Sequence, residues 1–443
     1  MSFKKILTII LLLLVSTSLF GFHDIKKPEH STYVLTIGID KAINDKILLT
    51  LQCMPPHILN NDYSISKTDE KLYNISIIAS SLEEGAALSQ NFISANLNFG
   101  HVRTVVFSEE IARQGLSKYL ISLTDNELND TNMNIYISKC KAKKFIESIS
   151  PKLEANPALY FDIIEHAYKS SGTTEPVKLI DFLRNMYSDI SHPIATYCNV
   201  IEDGKSKDQV KNDLKIDHKN LEKLNPNYSP GNLNKETTSN TEILGLALFK
   251  GDKMVDYLDN KDTNCHLMIE NKLNYFYTTI LAPTSKENKE HIEKDLDINL
   301  KEKSNTESIS KKNNVTSVQL TQSKKPIITV NIKGNTPVIN IIIPLNYTLV
   351  NTNTYSFNYL DNEYKLKLEN ENKKALLSNM NNYFNKIQTK NNTDIDSFAK
   401  YIKPNFLTIN EFEKYDWKTK FKKAKINIKF NLSSQSPGLY KQR

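Results

Sequence analysis

The chain has 443 residues, of which 39% are hydrophobic and 24% charged, and 57 Lys and Arg against 50 Asp and Glu give a net charge of +7. This length predicts two or three domains, and the 18 Phe and 21 Tyr residues exclude a wholly disordered protein. The small charge excess is spread along the chain, so it does not favour a nucleic-acid partner. With only 12 glycines, folds that cradle phosphates in glycine-rich loops are disfavoured.

The N-terminus, residues 1–22, is typical of an export signal. Lys4 and Lys5 precede the apolar stretch Ile6–Val15, and small polar residues follow it. The segment is either a cleaved signal peptide or a retained anchor, since residues 6–22 would span roughly 25 Å as a helix, a marginal length for a bilayer core. The later sequence contains no apolar run long enough to span a membrane.

Strands alternate with helices between residues 31 and 201. Runs of β-branched and alternating apolar residues predict strands at 33–39, 46–53, 72–79, 102–107, 134–138 and 194–200. Apolar residues at helical spacing predict helices at 82–93, 109–123, 141–149, 158–168 and 177–187. Asn44-Asp45 predicts a hairpin turn, and Ser81 with Glu84 predicts a capping box. This alternation indicates a mixed α/β (α+β) fold of helix-covered β-sheets.

The second half of the chain repeats this pattern around two polar stretches. Strands are predicted at 243–249, 254–258, 327–332, 338–343 and 426–432, the last with one buried and one wet face, and an amphipathic helix at 371–389. We therefore predict an N-terminal α/β domain at 31–201, a polar linker at 202–241, and one or more C-terminal α/β domains at 242–435 that contain a polar surface insertion at 284–325.

Four cysteines lie far apart in the sequence, at Cys53, Cys140, Cys198 and Cys265. Their spacing matches neither a zinc site nor a dense disulfide framework. An exported chain could form one long-range bridge from them, and four buried thiols is the interpretation that we favour.

The usual signatures of catalysis are absent from the sequence. It contains no Gly-x-Ser-x-Gly motif and no glycine-rich phosphate loop. His166 and His291 come nearest to a metal motif, but neither has a second histidine one helical turn away, so we expect a packed and a solvated side chain. The pairs Glu83-Glu84 and Glu109-Glu110 begin helices and complement the helix dipole. We assign no catalytic, cofactor-binding or metal-binding residue.

Four blocks of sequence follow one another in a recognisable order. They are Ile37–Lys41 with its partner strand Lys46–Gln52; His101–Ala112 with Gly115-Leu116; Leu244–Lys250 with Asp252-Lys253 and Tyr257-Leu258; and Asp394–Phe398 followed by Trp417–Phe421 and the last strand. In order and spacing they resemble the Ger(x)C family of spore germination lipoproteins, the C subunits of nutrient germinant receptors in endospore-forming bacteria.

The resemblance implies a mixed α/β ectodomain of several subdomains on the outer face of the spore inner membrane. It also implies a receptor component without catalysis, beside two multispanning receptor subunits, and leaves open whether this chain binds a small-molecule germinant. The rival hypothesis is an exported solute-binding protein or enzyme that uses an α/β cleft. Trp417 and Phe421, one helical turn apart, are predicted to be a core pair, with a partner-facing patch as the alternative.

Two positions depart from the family pattern. Members have Gly-Cys-Trp-Asp at the end of the signal, whereas this chain has Gly21-Phe22-His23-Asp24. Phe22 cannot carry a thioether-linked lipid, so we assign no lipidation site; a retained helix at 6–22, attachment through receptor partners, or a copy with altered function remain as options. Asp256 stands where glycine is common in the family.

Overall fold

The computed structural model describes residues 31–54, 72–93, 95–125, 131–149, 172–201, 227–232, 240–281, 315–352 and 362–434, and the single residues Phe3 and Ile6. The predicted signal or anchor apart from Phe3 and Ile6, the predicted helix 158–168 with His166, most of the linker, and His291 lie outside these residues. Among the helices of the described ranges, none is both long and apolar enough to cross a membrane.

The first sheet has nine strands. In chain order they are β1 (Ser31–Lys41), β2 (Ile47–Met54), β3 (Tyr73–Ala79), β4 (Asn96–Asn98), β5 (Thr104–Ser108), β6 (Asn134–Ser138), β7 (Ile194–Val200), β8 (Thr241–Lys250) and β9 (Lys253–Leu258). In space they run β3-β2-β1-β5-β6-β7-β8-β9, with β4 beside β1. Strands β1, β5, β6 and β7 are parallel, and the outer strands are antiparallel. Every residue of β5 and β6 is buried, as in a sheet covered on both faces.

The predicted turn and the Ser81 cap are confirmed, whereas the return bond of the predicted capping box goes to the residue before the cap. Asn44 and Asp45 both have φ of +56°, the left-handed conformation that a tight hairpin needs. The Ser81 hydroxyl accepts from the Glu84 N–H at 3.1 Å, and the Glu84 carboxylate accepts from the Ser80 N–H at 2.6 Å. These bonds begin helix α1 (Leu82–Ser89).

The single helix predicted at 109–123 is wrong, because two helices occupy this stretch. Helix α2 (Glu109–Gln114) ends at Gly115, and α3 (Ser117–Asp125) begins two residues later. Gly115 has φ of +129°, a conformation that breaks a helix and that side chains rarely adopt. The periodicity of apolar residues continues across the break, which is why the pattern predicted one helix. Two more helices, α4 (Ala142–Ser148) and α5 (Leu179–Tyr187), follow the predicted positions.

The first sheet continues past the polar stretch 202–241. Strand β8 pairs with β7, and β9 pairs with β8, so both belong to the same sheet as β1. The division into domains at 202–241 stays a prediction, but the sheet itself includes strands from both sides of that stretch.

The second sheet has five strands. They are β10 (Tyr275–Leu281), β11 (Val315–Thr321), β12 (Ile327–Lys333), β13 (Thr336–Thr352) and β14 (Lys425–Ser434). The order is β10-β11-β13-β12, with β14 parallel to β13. Strand β11 lies within the predicted polar insertion, yet it pairs on both sides and buries Val318 and Leu320. Strand β14 has the predicted alternation, with Phe430 and Leu432 buried between exposed residues.

Helices of the second half connect and cover the two sheets. They are α6 (Asn260–Ile269), α7 (Asn362–Phe384), α8 (Ala399–Ile402), α9 (Ile409–Tyr415) and α10 (Trp417–Phe421). Helix α7, predicted at 371–389, continues as wider π-helical turns through Asn385–Lys390. One hydrophobic core runs from the first sheet through α6 and α7 to the second sheet. The predicted mixed α/β class is confirmed by this arrangement of helix-covered mixed sheets.

All four cysteines are free thiols in the structure. Cys53, Cys198 and Cys265 are buried, as predicted, whereas Cys140 is only half-buried. Burial raises the pKa of Cys53 to about 12, which keeps this thiol protonated and unreactive at neutral pH.

Candidate functional site

The first family block lies where β1 packs against α4. A side chain at Gly38 would lie 2.5 Å from the Ile146 side chain, so glycine lets the helix lie directly on the strand. The buried Asp40 carboxylate accepts from the N–H groups of Ala142 and Lys143 at 2.7 and 2.8 Å. Burial raises the pKa of Asp40, and these bonds act against that rise. The amide groups at the carboxyl edge of the parallel strands, where such sheets bind ligands, are thus bound by the chain's own carboxylate.

The second and third blocks contact each other at the helix break. The Asp252 carboxylate, in the turn between β8 and β9, accepts from the N–H and hydroxyl of Ser117 at 3.1 and 2.7 Å. The Asp252 carbonyl accepts from the Leu116 N–H at 3.0 Å. A side chain at Gly115 would lie 2.7 Å from the Asp252 carboxylate. The break in the helix therefore receives the hairpin of another block.

Asp394, Asp396 and Trp417 of the fourth block lie in a group of buried and half-buried side chains where the first sheet meets the C-terminal helices. We call it the junction cluster, and its members are Glu175, His192, His266, Tyr383, Asp394, Asp396 and Trp417.

Asp394 holds the loop after α7 to two other segments. Its carboxylate accepts from the Trp417 indole N–H at 2.8 Å and from the N–H groups of Phe398 and Ala399 at 3.1 and 3.2 Å. Its backbone pairs with His192, whose N–H donates to the Asp394 carbonyl at 2.8 Å and whose Nδ1 accepts from the Asp394 N–H at 3.1 Å. The loop is thus fixed both to α10 and to the segment that enters β7.

The two residues of this pair have shifted pKa values. Burial and the neighbouring Asp396 charge raise the pKa of Asp394 to about 7. Burial and the charge of Lys418 lower the pKa of His192 to about 4. His192 is therefore neutral near pH 7, in agreement with its Nδ1 accepting a hydrogen bond.

Asp396 and His266 form the centre of the junction cluster. His266 Nδ1 lies 2.7 Å from the Asp396 carboxylate, whose other oxygen accepts from the Tyr383 hydroxyl at 2.8 Å. His266 Nε2 lies 3.4 Å from the Glu175 carboxylate, an ion-pair distance rather than an aligned hydrogen bond. Burial lowers the pKa of His266, but the two carboxylates outweigh it and raise this pKa to about 9. The imidazole is therefore a buried cation between two acids.

Ion pairs extend the cluster outward. Lys272 pairs with Glu175, and Lys386, on the π-helical extension of α7, pairs with Asp262 of α6. Burial raises the pKa of Glu175, but His266 and Lys272 outweigh it and lower this pKa to about 2. The central His266 and Asp396 side chains are 2% and 0% exposed, so these two groups bind other groups of the chain and are closed to solvent.

Trp417 and Phe421 are the core pair that the sequence predicted. Their ring centroids lie 5.9 Å apart, and the residues are 2% and 0% exposed. The sequence did not indicate that the indole N–H also binds Asp394. The only local signal was the pattern of two aspartates spaced by apolar Ile395 in a recurrent block.

The family departure at Asp256 has a structural role. This side chain lies on β9, and its carboxylate accepts from Lys390 at 2.8 Å and from Asn391 at 3.0 Å. Burial raises its pKa, and Lys390 and Asn391 more than reverse that rise. Asp256 therefore adds a further bond between the first sheet and the end of α7.

No group of three or more His, Cys, Asp or Glu side chains in the described ranges has a metal-binding arrangement. Glu83-Glu84 and Glu109-Glu110 stand in the first turns of α1 and α2, as predicted. The Glu109 carboxylate also accepts from the Tyr197 hydroxyl at 2.5 Å, a contact that ties α2 to β7.

Two family profiles match the chain, one in its N-terminal half and one in its C-terminal half. Residues 24–200 match the family profile described as "Spore germination protein N-terminal domain", and residues 244–438 match "Spore germination B3/ GerAC like, C-terminal". A putative spore germination protein, YfkR, of Bacillus subtilis is 26% identical over 61% of this chain and 62% of its own length. Spore germination protein KC of the same organism is 24% identical over 49% and 54%.

The alignments with these two relatives cover less than two thirds of each relative's length. A search of solved structures matches the crystal structure of the GerBC protein at 13% identity, with a TM-score of 0.48 over 91% of this chain and 97% of that one. The two family profiles together account for most of the chain, in the order that the four blocks predicted. The chain belongs to the Ger(x)C family of spore germination proteins.

Proposed function

We propose that this chain is a non-enzymatic, membrane-associated subunit of a spore nutrient germinant receptor, which acts through contacts with two multispanning receptor subunits. In this proposal it is exported and sits on the outer face of the spore inner membrane. The observation that carries the proposal is the junction cluster, in a chain of this family, because its buried polar groups join the segment that enters β7 to the C-terminal helices instead of forming an open site.

The argument begins with what buried charges do. A buried ion pair adds little net stability, but removal of one partner is costly because the other charge stays buried. The positions of His266 and Asp396 are therefore strongly fixed relative to each other. A body whose segments are fixed in this way can pass a displacement from the first sheet to the C-terminal helices, which suits a subunit that works by contact.

The rival hypothesis needs a ligand cleft at the carboxyl edge of the parallel strands. There the first two amides of α4 are bound by Asp40 at 2.7 and 2.8 Å. An anionic ligand at this place would have to displace a buried carboxylate of the chain itself. This geometry supports the receptor subunit over the solute-binding protein or enzyme.

Phe22 stands at the position of the lipidated cysteine, so this chain needs another means of attachment to the membrane. Without a cysteine at this position, the proposal places attachment either in the retained segment 6–22 or in the receptor partners. The two are separated by fractionation of cells that make the full chain without the other receptor subunits: a retained segment keeps the chain with the membrane, and attachment through partners does not.

The proposal is tested in spores that lack the gene. We expect these spores to lose germination with the nutrient that this receptor senses, and the full chain, tagged at its C-terminus, to co-purify with multispanning proteins from spore membranes. Normal germination with every nutrient tested, in a strain without a duplicate receptor, would overturn the proposal. A thermal-shift screen with nutrients tests the rival, since a ligand at 100 times its Kd stabilises a protein by about 2.7 kcal/mol.

A further inference from the structure

The most exposed large apolar side chain of the described residues is Leu407, at 95%. Ile409, two residues later, is 65% exposed. Both stand at the start of α9, and we call residues 407–409 the apolar tip. Single exposed apolar residues are common, but two side chains this exposed and this close together need a reason.

Folding uses the Thr408 hydroxyl and the Leu407 N–H of the apolar tip, but it does not bury the Leu407 and Ile409 side chains. Thr408 caps α9 by accepting from the Glu411 N–H at 3.2 Å, and the Glu411 carboxylate accepts from the Leu407 N–H at 3.0 Å. In such a capping box the residue before the cap usually packs against the fourth residue of the helix, here Phe412. Phe406 occupies that place instead, with its ring centroid 5.7 Å from that of Phe412. Leu407 is left facing solvent.

The surroundings of the apolar tip are basic. Residues 399–425 contain eight lysines and three acidic residues. Lys403 lies over the Phe412 ring at 5.9 Å from its centroid, and Lys420 lies 5.1 Å from the centroid of the Tyr415 ring. Both rings contact Phe406, so these two ammonium groups lie over the aromatic group that directly precedes the tip in the chain.

Several of these lysines form no ion pair within the described part of the chain. Ion pairs occupy Lys400, with Glu270, and Lys418, with Asp189. Lys403, Lys414 and Lys420 have no carboxylate partner within ion-pair distance among the described residues, although the Lys420 ammonium donates to the side-chain oxygen of Asn335, a neutral acceptor. Of the three acids, Glu411 is bound to the Leu407 N–H, which keeps its carboxylate turned to the backbone.

We propose that the apolar tip is a membrane contact, in which Leu407 and Ile409 enter the headgroup region of an anionic bilayer while Lys403, Lys414 and Lys420 bind lipid phosphates. Apolar side chains with adjacent lysines are the combination that binds anionic membrane surfaces. A protein partner of acidic character would match the lysines but not the isolated aliphatic pair. The inference rests on the membrane location in the proposed function and names the surface that touches the lipid.

The test places a fluorescent reporter at the tip of the full-length chain. The chain has one tryptophan, Trp417, which is buried and therefore shielded from lipid. In the Leu407→Trp variant, vesicles of phosphatidylcholine and phosphatidylglycerol with brominated acyl chains should blue-shift and quench the new tryptophan. Ile43→Trp is the matched control, since Ile43 is 75% exposed in the turn between β1 and β2, and its emission should not change.

Further variants and vesicle compositions test the lysines and the anionic lipid separately. Each of Lys403→Gln, Lys414→Gln and Lys420→Gln in the Leu407→Trp background should raise the lipid concentration for half-maximal quenching about fivefold. Vesicles of phosphatidylcholine alone should give little quenching, and salt should weaken it.

The outcomes distinguish this inference from the proposed function. If the Leu407→Trp chain floats with the vesicles while its new indole stays in water, the tip is not the lipid contact, and membrane association through another segment survives. If the chain binds no vesicle and no spore membrane, the membrane placement itself is overturned. If the new indole is blue-shifted only when acidic receptor proteins are present, the tip binds protein and the inference is wrong.

Discussion

Three members of the junction cluster, Asp394, Asp396 and Trp417, come from the same stretch of chain as the apolar tip, but the two groups use their side chains in opposite ways. In the cluster, Asp394 and Asp396 are almost fully buried, and each carboxylate is bound by groups from distant segments. At the tip, the Leu407 and Ile409 side chains are exposed and take no part in the capping of α9, which uses the Leu407 N–H and the Thr408 hydroxyl. The comparison teaches that side chains fixed by folding and side chains left for a partner can be neighbours in sequence. Stability measurements should respond to the first and membrane binding to the second.

The largest effect is expected from removal of Asp396. Asp396→Ala leaves the buried His266 cation without its nearest acid and the Tyr383 hydroxyl without its acceptor. We expect a loss of about 3–5 kcal/mol in the free energy of unfolding, measured with urea. The control is Asp189→Asn, which removes an exposed ion pair with Lys418 and should change stability by under about 1 kcal/mol. Equal losses in both variants would show that the buried cluster stabilises the fold no more than an exposed ion pair does.

The second effect is a loss of stability at alkaline pH. The pKa of His266 is raised from 6.5 to about 9, so its contribution is complete below about pH 6.5 and is lost as the pH rises through 9. The free energy of unfolding should fall by about 3 kcal/mol or less over this interval. The raised pKa of Asp394, about 7, acts in the same direction at lower pH, so the range from pH 7 to 9 isolates the histidine.

The control for this pH effect is His266→Gln. This variant should be less stable at pH 7 and should have a flat stability profile between pH 7 and 9. An unchanged slope in this variant would assign the pH dependence to another group.

A smaller effect is expected at Asp40, because its carboxylate binds only the start of α4 to the neighbouring strand β1. Asp40→Ala removes the acceptor of the Ala142 and Lys143 N–H groups and should cost about 1–2 kcal/mol. Hydrogen exchange should accelerate at these two amides, while Asp40→Asn, which keeps an acceptor oxygen, should lose less. A loss of unfolding free energy as large as that of Asp396→Ala would mean that the two aspartates stabilise the fold equally.

The smallest effect on stability is expected at the apolar tip. Leu407→Ser with Ile409→Ser should change the free energy of unfolding by under about 0.5 kcal/mol, since both side chains face solvent. The same double variant should bind anionic vesicles more weakly, because it lacks the two side chains that are proposed to enter the bilayer. A large loss of stability would show that these side chains pack against the fold, and the contrast with the cluster would disappear.

Much of the local structure was predictable because its causes are local. The Asn44-Asp45 turn, the Ser81 and Glu84 capping box and the alternation of β14 each depend on residues within a few positions of one another. Strand β11 could not be predicted in the same way. Its sequence is largely polar, and it is a strand because β10 and β13 pair with both of its edges.

The sequence predicted the block that contains Asp394 and Asp396, but it did not predict the junction cluster. The order of blocks identified the family and indicated that 394–398 and 417–421 belong together. Glu175 and His266 gave no signal in the sequence, because their partners lie far away along the chain. Asp256, which the sequence marked as a departure, gained its role only from the position of Lys390.

The sequence by itself determined the family, the class of fold and the turns, caps and buried faces of most elements, because periodicity and short-range hydrogen bonds decide these features. Only the tertiary structure decided that Gly115 breaks a helix to receive Asp252, and that β8 and β9 complete the first sheet. It also decided that His266 is a buried cation between Asp396 and Glu175. The physical reason is that burial and charge pairing depend on distances in space, and contacts between residues 130 positions apart leave no periodic trace in the sequence.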